Sequence, residues 1–136
     1  MTKKIDLNKY AVFVDGVTSN PSKDYKSFVE SLEYLDGEGS NVHRLLTAAV
    51  GISAEGGEFM EIVKKMVFQG KPWNDDNREH LIIELGDVMW YVMQACAALD
   101  VSLEDVVAGN VEKLKKRYPG GEFNVYESEN RASDDR

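Results

Sequence analysis

Two carboxylates, Glu84 and Asp87, stand in the most apolar stretch of the chain, which runs from Leu81 through Trp90 to Met93. An uncompensated charge in such surroundings is costly, so something must balance the pair. Three residues apart on a helix, the two side chains lie about 60° from one another and point to one side. Upstream, Ala54-Glu55-Gly56-Gly57-Glu58 repeats the spacing, and Glu61 follows three residues later. Four carboxylates brought together repel one another unless protons, basic side chains or cations lie among them, and a divalent cation meets that need most simply. Oxygen-only ligands favour Mg²⁺, with Mn²⁺ as a substitute, over Zn²⁺. A ferritin-like di-iron centre would want Glu-x-x-His pairs, and the sequence has none. Taken singly, each acid also has a plainer reading as a solvated charge or ion-pair member, and Glu61 has Lys64 and Lys65 beside it. His80, four residues before Glu84, could reach the same face, but reads first as a polar residue of the first helical turn.

Setting these acids face to face requires two long helices packed antiparallel. The periodicity supplies them: one from a cap at Ser40 or Asn41 to about Phe68, one from about Asn77 to Leu99, joined by the loop from Gln69 to Asp76. Gly51, Gly56 and Gly57 interrupt the first, marking either a close approach by another group or a kink. The second is apolar around its whole circumference and is expected to be the most buried helix. Two shorter amphipathic segments precede this hairpin, about Leu7 to Val17 and Ser22 to Leu35, with Asn20-Pro21-Ser22 as a break between them. A last helix, capped by Ser102 with Asp105 in the capping-box position, runs to Tyr118 before Pro119-Gly120-Gly121. No segment alternates as a strand does, so the class is all-α and four-helix-bundle-like, with one domain over 1–120 and a polar, mobile tail over 121–136.

Composition narrows the function. The chain has 136 residues, 43% hydrophobic and 29% charged, and its net charge of −8 is the wrong sign for a binder of long nucleic acid. No apolar run of signal-peptide or membrane-span length is evident, so no membrane partner is expected and a cytoplasmic location is the default. The single cysteine, Cys96, lies in an apolar run and reads as a small buried hydrophobe of a reducing compartment. On the last helix Asn110, Lys113 and Arg117 share a stripe beside the apolar face, where cations could meet phosphates. No Walker loop competes, because Gly70-Lys71 runs into Pro72.

The ordered set of Glu55-Gly56-Gly57-Glu58, Glu84-Leu85-Gly86-Asp87 after a spacer of 25 residues, and Asn110 to Tyr118 followed by Pro119 resembles the MazG-like nucleoside triphosphate pyrophosphohydrolases, above all their small single-domain phage-type members. Ile83 stands where many members carry a further glutamate, which bears on the number of bound metals. The resemblance implies Mg²⁺-dependent hydrolysis of an NTP or dNTP between the α and β phosphates. In that scheme Glu55, Glu58, Glu84 and Asp87 hold the metal, and Glu55, Glu58 or Glu61 accepts a proton from water. Lys65, Lys113 and Arg117 stabilise the departing pyrophosphate, Asn110 bonds a phosphate or the sugar, and Trp73 stacks on the base. It further implies a homo-oligomer, dimer or tetramer, that completes a helical bundle between copies, in the host cytoplasm if the protein is of phage origin. An alarmone or a damaged nucleotide would use the same metal site. The reading outside enzymology is a helical interaction module that binds a partner protein.

Overall fold

The computed structural model describes residues 3–135, and its regular elements are all helices: α1 (Leu7–Gly16), α2 (Asn20–Lys23), α3 (Tyr25–Gly37), α4 (Val42–Phe68), α5 (Asp75–Leu99), α6 (Leu103–Arg117) and α7 (Val125–Glu129). No strand occurs among the described residues. The chain divides into two compact units, Met1–His43 and Arg44–Arg136.

In the first unit, capping side chains set where each helix begins. The Asp6 carboxylate accepts from the backbone N–H groups of Asn8 and Lys9 and starts α1. Asn20-Pro21-Ser22, expected as a break, instead forms the one-turn α2, because a proline in the first turn forfeits no helical hydrogen bond. Asp24 then caps α3, and the bonds it accepts from the Ser27 backbone and hydroxyl hold its carboxyl below the ordinary value.

The second unit is built on the α4–α5 hairpin. α4 is continuous past its three glycines, and a left-handed Gly70 (φ 69°) lets the chain leave it, with Lys71 N–H donating back to the Lys65 carbonyl. Asn74 caps α5 by accepting from Asn77 N–H at 2.9 Å. The contacts that follow run in antiparallel order. Arg44 Nε donates to Gln94 Oε1 at 2.8 Å, the Tyr91 ring lies against Gly51, and Glu55 meets Glu84 and Asp87. The two possible meanings of the α4 glycines therefore separate: Gly51 is a close approach, whereas Gly56 and Gly57 face open space.

α5 ends on Asp100, a non-glycine residue at φ 52°, where Val101 N–H reaches back to the Cys96 carbonyl. A left-handed conformation strains an L-residue, and a carboxylate there also opposes the negative end of the helix. Asp100→Gly is expected to raise stability by about 1 kcal/mol, read as a higher unfolding midpoint in denaturant; an unchanged or lower midpoint would show that the Asp100 side chain contributes something the backbone does not reveal. Ser102 caps α6 as expected, accepting from Asp105 N–H at 3.0 Å.

Burial departs from expectation. Among the described residues the buried apolar side chains are Ala48, Ile62 and Cys96, while Ile83, Leu85 and Trp90 on α5 are each more than half exposed. Periodicity reports what a helix face requires, and a single chain of this fold does not cover every face of α5. By length and composition α5 is apolar enough to cross a membrane, but Glu84 and Asp87 both fall inside its apolar stretch and meet an acid of α4.

Candidate active site

The hairpin register places one α4 acid against two from α5. One carboxylate oxygen from each of Glu55, Glu84 and Asp87 lies within 4.8 Å of the others, a grouping able to hold a metal ion with small side-chain adjustments. The Glu84 side chain is only 12% exposed, and His80 Nε2 lies 3.0 Å from its Oε1, one helical turn earlier, so His80 orients this carboxylate.

The electrostatics are those of mutually repelling acids. Removal from water, the nearby charges of Asp87 and Glu84, a hydrogen bond to Glu84 and the charge of Glu58 together raise the Glu55 carboxyl above its ordinary value. The donor set is all oxygen, anionic and converging from two helices, and it fits Mg²⁺ or Mn²⁺. A proton on Glu55 competes with metal. Affinity for Mn²⁺ is therefore expected to fall as pH drops through the raised range of Glu55, with protons released on binding; calorimetry in buffers of different ionisation heat reads both, and a pH-independent affinity without proton release would remove Glu55 from the ligand set.

The other expected site residues are placed differently. Glu58, one turn beyond Glu55 on α4, is exposed, lies outside the three-acid group and acts on Glu55 through its charge. Glu61 and Lys65 pair with each other at 2.9 Å, and Lys65 holds the Glu61 carboxyl below its ordinary value, which makes it a weaker proton acceptor. Trp73 is 69% exposed in the loop between α4 and α5, and Asn110 is exposed on α6.

Lys113 and Arg117 are engaged by a residue that sequence reasoning passed over. Asp135 takes two bonds from the Arg117 guanidinium and lies near Lys113. These bonds hold the Asp135 carboxyl below, and the Arg117 guanidinium above, their ordinary values. The segment expected to be a mobile tail thus carries α7 and a tether to α6. The basic stripe itself was the available signal, since two adjacent cations call for an anionic partner.

Fold and site together define the class: an all-helical domain whose acid group lies within one helical hairpin. Residues 44–121 match the MazG nucleotide pyrophosphohydrolase domain, and the chain belongs to that family. It is also 38% identical over 87 residues to the Gene 37 protein of Mycobacterium phage L5, covering 62% of this chain and 75% of that protein. No solved structure matches. The family resemblance read from the motifs and the all-α class read from the periodicity are both borne out.

Proposed function

We propose that the protein is a pyrophosphohydrolase that cleaves a nucleoside or deoxynucleoside triphosphate between the α and β phosphates. The observation that carries this is the convergence of Glu55, Glu84 and Asp87 inside a domain of the nucleotide pyrophosphohydrolase family. These three residues would hold Mg²⁺, which when bound would supply charge neutralisation for the triphosphate and activation of water. Water oxygen bonds to the α phosphorus, the bridging bond from the α phosphorus to the oxygen of the β phosphate breaks, and the products are a nucleoside monophosphate and pyrophosphate. Glu58, beside the group but outside it, accepts the water proton, a role that the Lys65 pairing disfavours for Glu61. Lys113 and Arg117 stabilise the departing pyrophosphate, Lys65 and Asn110 assist at phosphate or sugar, and Trp73 stacks on the base.

The exposed apolar residues of α5 support a further part of the reading, a homo-oligomer in which a second copy covers them. The deciding experiment incubates the protein with each NTP and dNTP, and with oxidised and alarmone nucleotides, with and without Mg²⁺, and resolves the products by chromatography. Monophosphate plus pyrophosphate formed only with Mg²⁺ supports the proposal. No turnover of any compound would sink it in favour of a binding role.

A further inference from the structure

The basic stripe of α6 has an occupant from the same chain. Arg117 Nε donates to Asp135 Oδ2 and Nη2 to Oδ1, both at 2.6 Å, and Lys113 Nζ lies 3.6 Å from Oδ1. Two parallel N–H···O bonds from one guanidinium form the fork by which arginine takes either a carboxylate or two oxygens of a phosphate. The pair is well shielded, with side-chain exposures of 11% and 10%.

The surroundings suit a larger anion than a carboxylate. A cavity of about 520 Å³ adjoins the pair, lined by the basic side chains of Lys113, Lys116, Arg117 and Arg131 and by three acids, Asp135 among them. That volume lies in the range that holds small molecules, and withdrawing Asp135 leaves the cations further in excess. The segment that carries Asp135 is otherwise lightly anchored. Phe123, Val125 and Tyr126 are each about two-thirds or more exposed, and α7 is a helix of 5 residues with none buried. Its attachments include a ring contact between Phe123 and Tyr118 and, near its far end, the Arg117–Asp135 ion pair.

We propose that Asp135 is an internal ligand of the phosphate seat formed by Lys113 and Arg117, and that a pyrophosphate group binds there by displacing it. This rests on the reading above that the two cations serve the phosphates. A tethered carboxylate competes at high effective concentration, so it lowers the apparent affinity for any phosphate and refills the seat as product leaves. A carboxylate brings one charge, while pyrophosphate brings more charge and more oxygens to the same fork, which is why the second displaces the first.

Calorimetric titration of inorganic pyrophosphate into the 136-residue chain without metal tests the proposal. Asp135→Asn is expected to bind pyrophosphate roughly threefold tighter or more than wild type, because the internal competitor is weakened. Arg117→Ala is expected to bind roughly tenfold weaker or worse, alone or combined with Asp135→Asn. Unchanged or weaker binding by Asp135→Asn, or wild-type binding by Arg117→Ala, overturns it. Nucleotide turnover measured on the same preparations separates this from the hydrolase reading. Turnover with no gain in pyrophosphate affinity in Asp135→Asn removes the internal ligand alone, and a gain in affinity without turnover in any variant removes the hydrolase alone.

Discussion

Glu84→Gln is expected to abolish measurable Mn²⁺ binding and to lower nucleotide turnover by roughly 100-fold or more, since even outer partners of metal ligands are worth about 10- to 100-fold. The substitution keeps the shape of the side chain and its capacity to meet His80, and removes one of three clustered charges. The same change should relieve repulsion in the metal-free protein. Because Glu84 contributes to raising the Glu55 carboxyl, that group should titrate closer to its ordinary value in Glu84→Gln, and the metal-free variant should melt at or above the wild-type temperature. Retained Mn²⁺ affinity would place the metal elsewhere. A fall in melting temperature would mean that Glu84 serves the fold more than a ligand.

The largest effect on stability is expected at Gly51. A β-carbon there would fall within the Tyr91 ring, which has no flexible end to swing aside. Overpacking of this kind costs about 1–3 kcal/mol, against a gain of up to about 1 kcal/mol from replacing glycine by alanine in a helix. Gly51→Ala should therefore lower the unfolding midpoint, and trimming the ring with Tyr91→Ala should make the added methyl less harmful than it is in wild type. Gly109→Ala on α6 is the control. It meets nothing within 4 Å and should keep the propensity gain, so a loss at both positions would contradict the packing argument.

The helices and their starts were legible because capping is local: Ser102 with Asp105, and the loop before α5, are read within a few residues of where they act. The meeting of Glu55 with the α5 pair follows from the same local rules, since spacing sets the side of a helix and a short loop sets the register, whereas Glu58 of the α4 pair lies outside the group. Three things were not. The glycines of α4 look alike in sequence, and only Tyr91, forty residues on, makes Gly51 different. The exposure of α5 depends on what neighbours cover it, which periodicity does not report. The pairing of Arg117 with Asp135 spans 18 residues of polar chain, where composition predicts mobility and says nothing of an ion pair.

The hairpin that joins Glu55 to Glu84 and Asp87 also bears on how the protein acquires its shape. Glu55 stands well before Glu84 and Asp87 in the chain, so these ligands meet only when the whole α4–α5 hairpin closes, a step that a folding nucleus built on this hairpin would include. The repulsion among the acids is then present in the folding transition state as well as at its end. A divalent cation acting there would quicken folding and not merely slow unfolding, so the ion would act as a nucleating cofactor before any substrate arrives.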